Sequence, residues 1–387
     1  MKHAYTLLVL VSVLGLTQCK NATETQAGFL KPAAFGKKAK KQNQVVDLGT
    51  SYSAKDYDRI NDTARFLAGM PGGMNSPFAN QRRTSAWQQH HASMDKMFDY
   101  FARSRQSSIL NWQGSELGDV SNRNVFYPFG GPDYLYAHAF FPKASRYVLV
   151  GLEPVGSVPD LAALSGADLS PSLNNLKASM SSATNFSYFI TKDMRADLSR
   201  TSIQGTLPIV MTFMARTGHR IQSVNKLSSP APGFHILATG PSGGSKSVYY
   251  FQKDLSNSGI SANSSFLSFV TSAGAPTTFL KSASYLMHRN SFSNIRSAIL
   301  SRSYAVVQDP SGVPFDAIAQ SGYNVRLYGK YSGTLDIFRE HYQPGLASGY
   351  GSGQFQVKPL PFGVGYKQTS LIVAKRGVGL DPFLAQY

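Results

Sequence analysis

The sequence predicts a mixed α/β protein: largely one domain, in which a mixed parallel and antiparallel sheet is flanked by helices, with two abutting lobes as the alternative arrangement. Three observations carry this. A strand–helix–strand order is written between Asn124 and Leu152. Apolar runs joined by Gly-containing turns follow in the middle of the chain, and helix and strand patterns alternate from Thr277 onward.

In order, residues 57–69 put Ile60, Ala64 and Leu67 on one helical stripe, which the Pro/Gly stretch Met70 to Pro77 breaks. Thr84 caps a second helix running to about Arg105, with Trp87, His91, Met94, Phe98 and Phe101 at spacings of three and four. Asn124 to Phe129 reads as a strand. Gly130-Gly131-Pro132-Asp133 then opens a helix carrying Tyr134, Leu135, Ala137, His138 and Phe141, which Pro142 stops. Arg146 to Leu152 has the apolar pattern of a buried strand. Leu207–Met214 with His219–Lys226, and Phe234–Thr239 with Val248–Phe251, read as hairpins. Thr277–His288 and Phe292–Ser301 read as helices, and Tyr304–Gln308 as a strand ending in the turn Asp309-Pro310-Ser311-Gly312. Val325, Leu327 and Tyr331 mark a strand, Leu335–His341 a helix and Leu371–Ala374 a last strand, with a long Gly/Tyr/Pro loop from Gly345 to Gly365.

Of the 387 residues, 42% are hydrophobic and 15% charged, with a formal net charge of +17. This composition supplies a sizeable core and excludes a long coiled coil or a charge-driven disordered chain. A single cysteine excludes an internal disulfide framework and a Cys-based zinc cage. Lys2 and His3 precede the apolar run Leu7 to Leu16, which suits a secretory leader and is too short to span a bilayer. The run ends in Leu16-Thr17-Gln18-Cys19, which resembles a bacterial lipobox, although Gln18 departs from the small residue usual before the cysteine. The expectation is a signal peptide over 1–18, palmitate-type acylation of Cys19, a basic flexible tether over 19–54 and a globular domain over 55–387. A core cysteine, or an ordinary cleavable signal cut after Ala27, is the alternative. Lys20, Lys31, Lys37, Lys38, Lys40 and Lys41 outnumber Glu24 and Asp47 in the tether, so lipid and polybasic stretch together give two membrane signals. A solvated linker kept extended by its charge is the other reading.

The expected partners are therefore a membrane, reached through the lipid anchor, and an anionic or glycan component of the cell envelope, which spread positive charge and abundant Tyr rings suit. The location expected is the bacterial outer membrane or periplasm, with secretion as the alternative. No specific nucleic-acid, cofactor or metal motif is visible. Gly240 to Ser247 nearly spells a phosphate-binding loop, but Val248-Tyr249-Tyr250-Phe251 favours a strand where that loop needs a helix. His90 and His91, adjacent on a helix, diverge too far to chelate together.

Four residues are candidates for chemistry. Glu153 and Asp309 each follow an apolar strand beside Pro and Gly, where α/β sheets present catalytic groups. Two such carboxylates would act as general acid and base if their environments separate their pKa values. Asp133 opens a helix N-terminus after two glycines, and His138 lies one turn after Tyr134. Each has a structural alternative: turn-capping for the acids, a core position satisfied by backbone for His138. The functions left open are an envelope-binding protein, a hydrolase-like enzyme and a structural partner in an envelope assembly.

Tyr134-Leu135-Tyr136-Ala137-His138 is echoed by Tyr285-Leu286-Met287-His288, and Glu153-Pro154-Val155-Gly156 by Asp309-Pro310-Ser311-Gly312. A duplication would place Glu153 and Asp309 at equivalent strand ends; convergent turn chemistry is the alternative. The stretch Phe126-Tyr127-Pro128-Phe129-Gly130-Gly131-Pro132-Asp133-Tyr134-Leu135-Tyr136-Ala137, continued by Gly151-Leu152-Glu153-Pro154-Val155-Gly156 and Val306-Val307-Gln308-Asp309-Pro310-Ser311-Gly312, resembles a family of exported bacterial proteins, many of them lipoproteins. The resemblance implies export and one long unit over most of 55–345. It implies no activity and transfers no catalytic residue.

Overall fold

Parallel strands need helical crossovers, and the chain supplies them on both faces of one sheet. The computed structural model describes residues 57–73, 75–186 and 202–377. The expected leader, Cys19 and the expected basic tether lie outside these residues.

The helices α1 (Tyr57–Leu67), α2 (Ala79–Arg82), α3 (Ser85–Phe101) and α4 (Ser107–Glu116) come first. Thr84 caps α3 as its sequence predicts, its hydroxyl accepting the Trp87 amide at 3.3 Å. A π-helical turn, Ala102–Gln106, joins α3 to α4. Then follow β1 (Val125–Tyr127), α5 (Tyr134–Phe140), β2 (Arg146–Gly151), α6 (Gly166–Phe186), α7 (Leu207–Arg216), β3 (Arg220–Leu227), β4 (Gly233–Thr239) and β5 (Ser245–Gln252). The last third holds α8 (Ser265–Thr271), β6 (Thr277–Leu280), α9 (Ser293–Arg302), β7 (Ala305–Gln308), α10 (Phe315–Ala319), β8 (Asn324–Gly329), α11 (Pro344–Gly351), β9 (Gln356–Lys358) and β10 (Ser370–Lys375).

The ten strands of the described residues form one sheet, in the order β3-β4-β5-β2-β1-β6-β7-β10-β8-β9. Its centre, β5-β2-β1-β6-β7, is parallel throughout. β4 and β3 extend one side antiparallel. On the other side β10 is antiparallel to both β7 and β8, so β8 runs in the same direction as β7. The first three central strands in the chain run outward from β1 to β5, and the next two start again on the other side of β1. That reversal between β1 and β6 is the switch point of a doubly wound sheet.

Side-chain alternation sorts the core by face. Val125 and Tyr127 of β1, Tyr147 and Leu149 of β2, and Phe279 of β6 pack with α1 and α3 to α7. Phe126, Val148, Val150, Leu280 and Val306 pack on the opposite face with α8, α9 and α10. The mixed α/β class and single sheet expected from the sequence are thus the observed architecture.

Three segments differ from expectation. Leu207–Met214 is not a strand but lies within α7. Every residue from Leu207 to Ala215 is buried, so no periodicity separates helix from strand there, and Pro208 sits in the first turn where a helix tolerates it. β3 therefore finds its hairpin partner in β4. Thr277–His288 is not a helix: Thr277–Leu280 is β6, held between β1 and β7, and only Leu286–His288 makes a 3-10 turn. The β-branched pair Thr277-Thr278 fits that central position. The loop expected from Gly345 to Gly365 contains most of α11 and all of β9.

Candidate functional site

The carboxyl ends of β1, β2, β6 and β7 gather three of the four sequence candidates. β1 runs into Phe129-Gly130-Gly131-Pro132-Asp133, and β6, its neighbour across the switch point, runs into Lys281-Ser282. Asp133 and Lys281 form an ion pair at 2.8 Å with both side chains 1% exposed. Asp133 also accepts the Tyr127 hydroxyl at 3.0 Å and the Tyr136 amide at 3.2 Å, capping α5. The Lys281 ammonium lies 4.2 Å from the centre of the Tyr136 ring. Each charge thus has a partner and further dipoles, as a buried pair requires.

Glu153, 2% exposed, lies just past β2. Its backbone carbonyl accepts the Tyr250 hydroxyl at 2.7 Å, and its Oε2 faces the same hydroxyl at 3.4 Å. Gly131, at φ 58°, leaves room for the Glu153 carboxylate: a Cβ there would stand 3.2 Å from Oε2. The turn glycine therefore serves both a left-handed backbone and a close approach.

Asp309 follows β7 directly and is fully buried. Its Oδ2 accepts the Ser282 amide at 2.7 Å, and its Oδ1 accepts both the amide and the hydroxyl of Ser311. Burial pushes its carboxyl up; the Ser311 and Ser282 hydrogen bonds and the charge of Lys281 oppose this. Dipoles rather than a paired cation hold Asp309, whereas Asp133 holds a cation directly. The two acids lie in contrasting environments around one lysine.

The backbone around Asp309 is unusual. Phe129, Ser282, Ser284, Tyr285 and Tyr366 are the non-glycine residues with positive φ among those described. Phe129 follows β1; Ser282, Ser284 and Tyr285 follow β6. Tyr366, on the loop leading into β10, points its hydroxyl at the Ser282 carbonyl (3.1 Å) and the Ser284 hydroxyl (2.9 Å). Each such residue costs on the order of 1 kcal/mol or more and persists only where surroundings enforce it. The same loop lays Gly365 over Asp309: a Cβ there would overlap Asp309 Oδ2 and crowd Ser282 Oγ.

Buried polar atoms without a hydrogen-bond partner also collect here: Ser282 Oγ, Tyr285 OH and His288 Nε2. Tyr285 is 0% exposed. Burial raises its phenol strongly, and the neighbouring Asp309 carboxylate adds to the rise. Its ring stacks on His341 at 5.1 Å, meets His288 edge-on at 5.2 Å and touches Phe338 at 5.1 Å. Burial, then His341 and Arg296, lower His288 to about 4. Leaving such donors unpaired costs about 1–3 kcal/mol each, so each orphan calls for an explanation.

His138 lies elsewhere. It sits on α5, facing the helical layer, with its ring 4.7 Å from that of His219 and its Nδ1 3.5 Å from the Tyr147 hydroxyl. His219 in turn meets the Tyr134 hydroxyl at 2.9 Å. A cavity of about 860 Å³ opens beyond His219 and is lined by Asp58, Asn61, Asp62, Ser76 and Arg220 among others. Its polar groups are engaged with protein: Asp62 with Arg82 at 2.8 Å, Asp58 with Arg220 at 3.3 Å, Asn61 with the backbone of Ile221. Unpartnered buried polar atoms cluster past β6, at Ser282, Tyr285 and His288, while others are scattered at Gln81, Trp112, Gln113, Ser172 and Arg216.

No protein-family model, no curated protein and no solved structure matches the chain. Among the described residues no group of three His, Cys, Asp or Glu side chains is placed to hold a metal ion, and no helix is long and apolar enough to cross a membrane. Gly240–Gly244 is the hairpin turn between β4 and β5, and Ser245–Ser247 already belong to β5, with Lys246 donating to the carbonyls of Pro142 and Ala144. His90 and His91 each bond a separate carbonyl, those of Leu67 and Gly69.

Sequence reasoning missed Lys281, Ser282 and Tyr285. Their segment was read as a helix, which hid a strand end. The signal available was the sequence echo: both copies fall beside the switch point, in the units β1-α5-β2 and β6-α9-β7, and put Glu153 and Asp309 at the carboxyl ends of β2 and β7.

Proposed function

We propose that the protein is an exported hydrolase-like enzyme whose acid–base chemistry takes place at the carboxyl edge of the central parallel strands. Asp309 carries the proton. The Asp133–Lys281 pair and Glu153 form the floor, and the loop through Gly365 and Tyr366 forms the roof. One observation supports this reading above others: the positive-φ residues Ser282, Tyr285 and Tyr366 and the unpartnered Ser282 Oγ and Tyr285 OH gather around Asp309, beside the switch point where doubly wound sheets bind ligands. Burial raises the Asp309 carboxyl above its ordinary value, the direction a general acid–base group needs. The leader, the Cys19 anchor and the net charge of +17 support placing the enzyme at an anionic or glycan-rich envelope surface.

The test is Asp309→Asn in the full chain, assayed against uncharged chromogenic esters and glycosides. The amide keeps the shape and loses the base. Turnover falls by about 10²–10⁴-fold, the range for a general acid–base group, while the circular dichroism spectrum stays that of wild type. Undiminished turnover in Asp309→Asn, or a wild-type chain that turns over nothing in the panel, overturns the proposal.

A further inference from the structure

We infer that Ser282 is a nucleophile and that the substrate is an uncharged carboxylic ester; this rests on Asp309 being the base proposed above. Ser282 stands two residues past β6, on the strand end beside the switch point, and is held at φ 55°. A serine in a strained turn past a parallel strand has its hydroxyl presented above the sheet edge instead of spent in the backbone ladder. The Ser282 hydroxyl is buried and has no hydrogen-bond partner, while its own amide donates to Asp309 Oδ2 at 2.7 Å. That amide bond anchors the serine to the carboxylate, and Ser282 Oγ and Asp309 Oδ2 flank the same point beside Gly365. Nucleophile and base are therefore adjacent, with the base oriented in turn by Ser311.

The second unpartnered hydroxyl supplies what an acyl transfer needs next. Tyr285 OH is fully buried, interacts electrostatically with Asp309 and Tyr366, and has no acceptor in the protein. In the reaction, Ser282 Oγ bonds to the ester carbonyl carbon as its proton passes to Asp309. The carbonyl oxygen becomes an oxyanion and accepts the Tyr285 O–H. Collapse re-forms the carbonyl and breaks the bond to the leaving alcohol, which takes the proton from Asp309. Water, giving a proton to Asp309, then attacks the acyl carbon, and the acid departs as Ser282 Oγ regains that proton. The balance is ester and water to acid and alcohol, with no other co-reactant.

Charge selects the class. Three buried carboxyls, Asp133, Glu153 and Asp309, stand at these strand ends, and the Lys281 ammonium is paired with Asp133, so the site disfavours phosphoesters and other anions. Tyr285, Phe338 and Tyr366 form an aromatic wall fit for an apolar acyl group.

The experiment treats the full chain with a fluorophosphonate probe and locates the adduct by peptide mass spectrometry, in parallel with p-nitrophenyl acetate and butyrate hydrolysis. The variant is Ser282→Gly, because glycine adopts φ 55° without strain and removes only the hydroxymethyl group. Tyr285→Phe is the second variant. The expected result is an adduct on Ser282, abolished in Ser282→Gly together with hydrolysis, slower hydrolysis without loss of fold in Tyr285→Phe, and slower labelling in Asp309→Asn. Hydrolysis that needs Asp309 yet persists in Ser282→Gly without an adduct overturns the nucleophile and leaves the base. Wild-type protein that neither labels nor hydrolyses overturns both.

Discussion

Replacing Lys281 by Met tests the floor of the site directly. Both members of the Asp133–Lys281 pair are 1% exposed, so the substitution leaves a carboxylate buried without its cation. Breaking such a pair costs about 3–5 kcal/mol. Asp133 keeps two donors, the Tyr127 hydroxyl at 3.0 Å and the Tyr136 amide at 3.2 Å, which places the expected cost near the lower end, at about 3 kcal/mol. Methionine retains the length of the lysine stem and its contact with the Tyr136 ring, so little of that cost comes from lost volume. The double variant Asp133→Asn/Lys281→Met buries no charge and keeps the cap on α5. It is expected to recover about 2 kcal/mol relative to the sum of the single variants, a coupling typical of residues in direct contact. Urea unfolding followed by tryptophan fluorescence is the assay, since Trp87 and Trp112 are 3% and 6% exposed and report on the core. A midpoint shift at unchanged slope gives the free energy. A loss below 1 kcal/mol in Lys281→Met, or strict additivity in the double variant, would refute the account of this pair as a coupled buried unit.

Further outcomes follow from titration and from the leader. Burial lowers His90 to about 4, His138 to about 3 and His219 to about 4, each against about 6.5 in the unfolded chain. Their folded values are depressed, so the stability they confer is complete above pH 6.5 and is lost as pH falls toward 4. Between pH 7 and 5 each forfeits about 2 kcal/mol. Urea unfolding at pH 7 and pH 5 checks this, with a shallower fall expected in His138→Phe; equal stability at both pH values contradicts it. Asp309 acts in the other direction: its folded pKa is raised, so its contribution is complete below 3.8 and fades as pH climbs through the raised value. In bacterial cells an alkyne analogue of palmitate is expected to label the wild-type chain and not Cys19→Ser; equal labelling of the two removes Cys19 as the anchor.

The fold was legible where local chemistry and tertiary demand agree. Thr84 capped its helix, and Asp133 opened α5 beside two glycines and a proline. The β4–β5 hairpin announced itself through Gly240, Gly243 and Gly244. Reading failed where burial is complete on all sides. The run Leu207–Ala215 is helical because it fills the layer over the sheet, a fact its uniformly buried and almost wholly apolar side chains do not encode. The site was half legible for the same reason. Glu153 and Asp309 follow recognisable strands, whereas Lys281 and Ser282 gain meaning only once Thr277–Leu280 is inserted between β1 and β7. Asp133 proved both a cap and a charge partner, a combination that needs a residue far along the chain.

The order of the central strands has a consequence for how the polypeptide reaches its final state. β1 finds one neighbour, β2, next in the chain, but its other neighbour, β6, only after three further strands. Until then one margin of β1 stays open and Asp133 waits for its lysine, while β10 must wedge between β7 and β8 last of all. Chains cut short before β6 are expected to be sticky and prone to cross-pairing, because maturation of the centre depends on the far end of the molecule.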